Sequence, residues 1–256
     1  MNIVVLVKSV PDLVEDLEID ATTGLLDRSF LRLIPGELDD HALEEALILK
    51  ERHGGSVTVV TVDTGDVDET LYTALAKGAD RAVKVVVEGL EPGPDNTRLA
   101  AIFHRVLAGI PFDLVLTGTQ AVDDLDGFLG PMVAEAAGLP YVGYVTRVES
   151  TDGKVVARKE YPGGLCADIE VTRPAVLGIQ AAEKPPRYVV TSKVMEAMKS
   201  ATIEEETSPE VPAGSGLAVS RMYVPETGAH AEMIEGTVEQ VAEALAKLMR
   251  DRGVVA

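Results

Sequence analysis

The stretch DLVLTGTQAVDDLDGFLGP, residues 113–131, contains the pattern that decides the fold. Its apolar start predicts a buried strand, the loop after it is rich in glycine, and the residues from Gly130 onward predict a helix. A strand, a glycine-rich turn and a helix in this order often form a phosphate-binding loop. This loop nevertheless carries Asp123, Asp124 and Asp126, and it has no Lys or Arg between Gly118 and Pro131. What it could bind is therefore an open question at this point.

The same alternation of strand and helix extends over the first 185 residues. Strands are predicted at NIVVLVKSV (2–10), SVTVVTV (56–62), RAVKVVV (81–87) and FDLVLTG (112–118). Helices are predicted at DDHALEEALILKERHG (39–54), DETLYTALAKGAD (68–80), NTRLAAIFHRVLAGI (96–110) and GPMVAEAAGLP (130–140). We expect an aspartate to cap the first helix and Gly54 to end it. Strands separated by helices of this length form parallel βαβ units, so the pattern predicts an α/β fold with a doubly wound, mostly parallel sheet.

After residue 140 the pattern changes. YVGYVTRVESTDGKVVARKEYPGG (141–164) predicts an antiparallel hairpin with an Asp-Gly turn, and ADIEVTRPAVLGI (167–179) predicts one further strand, interrupted at Pro174. PPRYVVTSKVMEAMKS (185–200) predicts a loop and a short helix, and TIEEETSPEVPAGSG (202–216) predicts a linker or arm. TVEQVAEALAKLMRDRG (237–253) predicts an amphipathic helix capped by Thr237, with Val241, Leu245 and Leu248 on one face. We divide the chain into a domain of residues 1–185 and a C-terminal region of residues 186–256.

Composition limits the partners. The formal charge of -19 argues against binding to nucleic acid or to an anionic membrane surface, and it fits either plain solubility or docking to a basic protein. Apolar runs are too short to span a bilayer, and MNIVVLVKSVPD (1–12) lacks the basic leader of a signal peptide. The single cysteine, Cys166, excludes an intramolecular disulfide, and we expect it to be a small buried thiol. A reducing compartment, cytoplasmic or organellar, is indicated, and we expect the cytoplasm.

Backbone groups offer one answer to the question of the acidic loop. The N-terminus of a helix carries about half a positive charge, so an anion can be held there without a basic side chain. Gly127 and Gly130 would then supply N–H groups, while the carboxylates point to ribose hydroxyls, to backbone N–H groups or to solvent. Motifs for phosphoryl transfer, serine hydrolysis and metal binding are missing from the sequence, so we expect a protein without a catalytic residue of its own.

Five segments, in order along residues 1–200, resemble the beta subunit of electron transfer flavoproteins. They are VLVKSVPD (5–12), LDDHALEEALILKE (38–51), TALAKGADRAVKV (73–85), LVLTGTQAVDD (114–124) and PAVLGIQAAEKPPRYVVTSKVMEA (174–197). The resemblance implies a Rossmann-like domain that binds AMP or a second FAD, in a heterodimer whose alpha subunit carries the redox FAD. It also implies an acyl-CoA dehydrogenase-like flavoenzyme, or NADH in bifurcating relatives, as electron donor. The acceptor would be linked to quinone or ferredoxin.

The resemblance also implies site residues. The nucleotide would be bound by Val7, Lys8, Val62, Asp63, Thr64, Gly118, Gln120, Ala121, Asp123, Gly127, Phe128, Leu129 and Gly130. A redox partner would be bound by Tyr188, Thr191, Val194 and Met195. Two positions depart from the family pattern, because Phe128 replaces a polar residue and Thr191 replaces an anchoring leucine.

Two alternatives stay open on the residues alone. One is a regulator of the universal-stress type, which would bind an adenine nucleotide as a homodimer. The other is an adenylate-forming or nucleotide-hydrolysing enzyme, which the absence of a phosphate-activating Lys or Arg disfavours.

Overall fold

The computed structural model describes residues 1–90, 93–124, 127–208, 212–214, 219–225 and 233–255. Within these residues the strands are β1 Asn2–Val7, β2 Ser9–Pro11, β3 Leu33–Pro35, β4 Ser56–Val62, β5 Arg81–Val87, β6 Leu114–Gly118, β7 Tyr141–Thr151, β8 Lys154–Tyr161, β9 Leu165–Thr172, β10 Ala175–Ile179 and β11 Glu204–Ser208. The helices are α1 Glu37–His53, α2 Asp68–Lys77, α3 Asn96–Leu107, α4 Leu129–Ala137, α5 Thr191–Ser200 and α6 Val238–Asp251. None of the helices in the described ranges is long and apolar enough to cross a membrane.

Nine strands form one sheet in the order β11-β5-β4-β1-β6-β10-β7-β8-β9. All neighbours from β11 to β7 pair in parallel, and β7, β8 and β9 pair antiparallel. Strands β2 and β3 form a separate antiparallel pair beside β1. The predicted α/β fold with a mostly parallel sheet is therefore confirmed, as is the hairpin, whose Asp152–Gly153 turn joins β7 to β8.

Two apolar layers hold the helices on the sheet. On one face, β1 and β4 pack against Leu43 and Leu47 of α1 and against Leu71 of α2. On the other face, alternate residues of the same strands pack against Phe103 of α3 and Val133 of α4. Central strands are buried on both faces, which explains why they are nearly continuous runs of Val, Ile and Leu. Each such side chain contributes roughly 1.5–3 kcal/mol when it is fully buried.

Three details of the prediction are wrong. Residues 167–179 form two strands instead of one interrupted strand, because β9 ends at Thr172, before Pro174, and lies at the sheet edge, whereas β10 begins at Ala175 and lies beside β6. Glu204–Ser208, predicted as part of a linker or arm, is strand β11 on the opposite edge. Cys166 is exposed on β9, because its strand lies at an uncovered edge of the sheet.

The C-terminal region is only partly packed on the domain. Helix α5 lies against α2 but buries none of its residues, and α6 also buries none. Thr237 and Gln240 form a capping box at the start of α6, which confirms the predicted cap. Parts of the predicted acidic arm, residues 209–211 and 215–216, lie outside the described residues. The boundary between residues 185 and 186 stays a prediction.

Candidate functional site

The strand order reverses direction at β1, which places a binding crevice at its carboxyl end. Within the nine-stranded sheet, the next strand along the chain, β4, lies on one side of β1, and the later strand β6 lies on the other side. Open α/β sheets bind ligands outside the carboxyl ends of the strands at such a switch point. Lys8 follows β1, Asp63 follows β4 and Thr119 follows β6, so the segments named by the sequence meet at this edge.

A narrow cleft opens on the α3 side of this edge. It holds about 340 Å³ of empty space, part of it open to solvent. Its walls come from the ends of β1 and β4, from the segment before α3 and from the loop between β2 and β3, through Val7, Lys8, Ser9, Arg28, Thr61, Val62, Thr64, Gly93, Pro94, Leu99, Phe103 and Asp123. Ser9 and Thr61 have buried hydroxyl oxygens with no hydrogen-bond partner among the described residues. Polar groups of this kind are available to a ligand.

Lys8 is the cation at the floor of the cleft, and the loop aspartates neutralise it. Its ammonium lies 2.7 Å from Oδ1 of Asp123 and 3.5 Å from Oδ2 of Asp124, with only 8% of the lysine side chain exposed. Asp124 also accepts a hydrogen bond from the N–H of Gly127 at 3.1 Å. Asp123 and Asp124 therefore bind the loop to the end of β1, and Asp124 also holds the loop together, whereas Asp126 lies outside the described residues.

Asp39 is a buried carboxylate at the switch point that the sequence interpretation missed. Its Oδ2 accepts the N–H of Lys8 at 2.9 Å and its Oδ1 accepts the N–H of Gly118 at 2.7 Å, which connects β1 to β6. Burial raises the pKa of Asp39 to about 7, against the lowering effect of the two N–H groups. The predicted aspartate cap of α1 is wrong, because the helix begins two residues earlier at Glu37 with Gly36 as its N-cap.

The structure brings together five of the thirteen predicted nucleotide residues. Those that line the cleft are Val7, Lys8, Val62, Thr64 and Asp123. Asp63 lines a neighbouring polar pocket instead. Its N–H donates to the carbonyl of Val85, and its carboxylate accepts the N–H of Gly65.

The other predicted residues lie in the loop and in the first turn of α4. The N–H of Gly118 is bonded to Asp39, Gln120 is exposed, and the carbonyl of Ala121 accepts the N–H of Asp124. Gly127 is bonded to Asp124 as described above. Leu129 and Gly130 begin α4, whose N-terminus has no side-chain cap and no acidic residue in its first turn.

Phe128 faces away from the cleft. It is the N-cap residue of α4, is 52% exposed, and lines an apolar groove between α3 and α4 with Pro131 and Met132. The departure from the family pattern at this position therefore changes the outer surface of the helix pair. It leaves the lining of the cleft unaltered.

Seven further residues line the cleft but were not predicted: Ser9, Arg28, Thr61, Gly93, Pro94, Leu99 and Phe103. Thr61 precedes the predicted strand end by one residue, so its position could have been inferred. Arg28 and Gly93 are far apart in the sequence and lie in segments without helical or strand periodicity, so no local signal places them at the same cleft.

The predicted partner-binding residues lie together on one surface. Tyr188 is 86% exposed, Thr191 begins α5, Val194 is half-buried and Met195 is 49% exposed. The segment before α5 is fixed to α1 through Arg187, whose Nε and Nη2 bind the carboxylate of Glu44 at 2.9 and 2.8 Å. Its Nη1 also donates to Glu51 at 2.7 Å. The exposed Tyr188 thus directly follows a residue that is bound to α1 by two ion pairs.

Comparison with known proteins gives a consistent assignment. A family model described as the electron transfer flavoprotein domain matches residues 30–211. Proteins named electron transfer flavoprotein subunit beta are similar along nearly the whole chain. The one from Methylophilus methylotrophus is 35% identical over 98% of both chains, and the one from Clostridium acetobutylicum is 33% identical over 94% of this chain and 95% of its own. The one from Bacillus subtilis is 29% identical over the full length of both chains. With the strand order, the crevice at its switch point and these matches in agreement, the chain belongs to the beta-subunit family of electron transfer flavoproteins.

Proposed function

We propose that this chain is the beta subunit of a heterodimer whose alpha subunit carries a redox FAD, and that its own cleft binds AMP or a second FAD. The observation that carries the proposal is the cleft beside β1 and β4, because it combines a charged group, Lys8, with buried hydroxyls that have no hydrogen-bond partner among the residues that the structure describes. Family membership supports the electron-transfer role. The chain would supply binding and orientation, and the flavin would supply the redox chemistry.

The residues present suit an adenine nucleotide in two ways. Val62, Leu99 and Phe103 give the cleft an apolar wall of the kind that a purine ring contacts, and Ser9, Thr61 and Thr64 give it hydroxyl groups within the same lining. The ion pairs of Lys8 with Asp123 and Asp124 hold the loop in place before a ligand arrives, which reduces the entropy lost on binding.

The first experiment is to co-express the chain with an alpha subunit and to analyse the purified complex. We expect a yellow heterodimer that releases one FAD and one AMP, or two FAD, when it is unfolded and its extract is separated by chromatography. A complex that releases neither AMP nor a flavin would contradict the proposal. A colourless homodimer would favour a regulator of the universal-stress type, which the full-length similarity to electron transfer flavoproteins does not support.

A pair of variants tests whether the nucleotide lies in this cleft. Thr64→Trp adds a large ring to the cleft lining, whereas Thr172→Trp adds the same ring at an exposed position of β9, the far edge of the sheet. We expect the first variant to lose its AMP or second FAD and the second variant to retain it. Equal nucleotide content in the two variants would place the nucleotide elsewhere.

We further propose that the surface formed by Tyr188, Thr191, Val194 and Met195 docks an acyl-CoA dehydrogenase-like flavoenzyme. The exposure of Tyr188 and Met195 supports this, since exposed aromatic and methionine side chains are enriched at interfaces. Tyr188→Ala should slow the reduction of the heterodimer by such a dehydrogenase, whereas Tyr223→Ala, at a tyrosine that is 72% exposed elsewhere, should not. Electron bifurcation, the acceptor and the cytoplasmic location stay predictions.

A further inference from the structure

Arg28 brings a guanidinium group to the cleft from a distant part of the chain. It lies in the loop between β2 and β3 and lines the cleft with Lys8, Thr61 and Gly93. A β-carbon added at Gly93 would lie 2.4 Å from Nη2 of Arg28 and 2.7 Å from its Cζ, so the guanidinium lies directly against the glycine backbone. Gly93 also has a φ of +74°, a conformation that favours glycine.

The backbone on both sides of Arg28 is fixed by hydrogen bonds. The N–H of Asp27 donates to the carbonyl of Glu18 at 2.9 Å, and the side chain of Asp27 accepts the N–H of Ser29 at 2.9 Å. Ile19 and Leu26 form a β-bridge within the same loop. The loop is therefore ordered at this point, and Arg28 is held at the cleft by its neighbours.

Arg28 has no hydrogen bond or ion pair to any residue in the described part of the chain, although its chain carries a formal charge of -19. Other arginines are paired with carboxylates, among them Arg32, Arg52, Arg81, Arg98, Arg147, Arg158 and Arg187. Arg28 therefore lines the cleft with donors that no described residue occupies.

The charge balance of the cleft indicates that Arg28 is needed to bind an anion there. Lys8 is opposed by two carboxylates, Asp123 and Asp124, so without Arg28 the charged groups there would repel a phosphate. The N-terminus of α3, next to Gly93, does not compensate for this, because Asp95 already caps it by accepting the N–H groups of Thr97 and Arg98. A guanidinium can bind two phosphate oxygens at once, which an ammonium cannot do with the same geometry.

We propose that Arg28 binds the phosphate of the nucleotide and thereby makes the cleft selective for phosphorylated adenine ligands over the nucleoside. This rests on the proposed function, since it assigns a residue and a selectivity to the same site. An acidic loop without Lys or Arg can then lie at a phosphate site, because Arg28, about ninety residues earlier in the sequence, supplies the positive charge.

The test compares AMP with adenosine. The full chain, purified with its alpha subunit and dialysed free of exchangeable nucleotide, is titrated with each ligand by calorimetry. For Arg28→Gln we expect the affinity for AMP to fall by about tenfold to a hundredfold, the range for one charge-assisted pair, while the affinity for adenosine is unchanged. Arg28→Lys should retain part of the affinity for AMP, because it keeps the charge but loses the planar fork.

The matched control is Arg32→Gln, at an arginine of the same loop that is 59% exposed, lies outside the cleft lining and pairs with Asp12. This control should bind AMP as the unmodified protein does. If Arg28→Gln binds AMP within twofold of the unmodified protein, the role of Arg28 is refuted and the nucleotide site survives. If it loses AMP and adenosine equally, the effect is on folding and the inference is again refuted. If the unmodified protein binds neither AMP, adenosine nor FAD, the proposed function fails first and this inference fails with it.

Discussion

Arg187→Ala should destabilise the protein, because it breaks an ion pair with a nearly buried carboxylate. The guanidinium of Arg187 donates to both carboxylate oxygens of Glu44, and its backbone N–H donates to Oε2 of the same residue at 2.9 Å. The side chain of Glu44 is only 5% exposed and that of Arg187 is 31% exposed. Removing the arginine side chain therefore leaves a nearly buried carboxylate that keeps the hydrogen bond from the backbone N–H of residue 187 but loses the guanidinium.

Breaking a fully buried ion pair from one side costs about 3–5 kcal/mol. Because a third of Arg187 is exposed, water can replace part of the lost interaction, and we expect a loss of about 2–3 kcal/mol in the free energy of unfolding. The matched control is Arg158→Ala, which removes a bidentate pair with Asp168 whose side chains are 41% and 51% exposed. An exposed pair of this kind is worth about 1 kcal/mol or less.

Urea unfolding followed by circular dichroism measures the free energy of unfolding of both variants. An unchanged dependence of this free energy on urea concentration would show that stability alone has changed. Burial of Glu44 favours its neutral form, but the bonds from Arg187 outweigh burial and hold the pKa of this carboxyl below its ordinary value. The stabilisation is therefore present above the unfolded pKa of about 4.5 and is lost as the pH falls through the lower folded pKa. The difference between Arg187→Ala and the unmodified protein should shrink in that range. Equal losses in the two variants, or a difference independent of pH, would refute this reasoning.

Two further predictions concern buried groups. Burial raises the pKa of Glu45 to about 7, so the free energy of unfolding should fall as the pH rises from about 4.5 through 7. Glu45→Gln should reduce this dependence on pH when urea unfolding is measured at several pH values. An unchanged dependence on pH would contradict the role of Glu45. A β-carbon at Gly178 would lie 2.4 Å from the hydroxyl of Tyr141, so Gly178→Ala should cost about 1–3 kcal/mol in thermal unfolding. Adding Tyr141→Phe should recover part of that loss, and no recovery would place the strain elsewhere.

The sequence predicted the parts of the fold that depend on local periodicity. The central strands are runs of β-branched residues buried on both faces, and the helices between them have apolar residues at helical spacing. These patterns follow from the burial that the finished sheet imposes, so they can be recognised before the sheet is known. The Asp-Gly turn of the hairpin is predictable for a similar reason, since it depends on two adjacent residues.

Elements stabilised by distant partners could not be predicted in this way. The acidic residues of β11 suggest a solvated arm, but Glu204 pairs with Arg81 and Glu205 pairs with Lys84 when the strand lies beside β5. Nothing within Glu204–Ser208 contains that information. Arg28 is the same case in the candidate site, because it lies against Gly93, a residue distant in the sequence, and no pattern around Arg28 indicates that contact.

Helix α1 shows that some of the acidic residues of this chain are structural. Three of its carboxylates, on Asp39, Glu44 and Glu45, are at most 6% exposed. Asp39 accepts N–H groups at the ends of β1 and β6, and Glu44 accepts the N–H of Arg187, which directly precedes Tyr188 of the proposed docking surface.

Glu45 completes the set, because it accepts the N–H groups of Val148 in the hairpin and Glu183 after β10. Burying a carboxylate is costly unless its hydrogen bonds are made, so each of these contacts is held in a narrow geometry. One helix thereby fixes the cleft, the hairpin and the proposed docking surface relative to one another. At these three positions, carboxylates that composition counts only as part of the formal charge of -19 fix the distance between the proposed nucleotide cleft and the proposed docking surface.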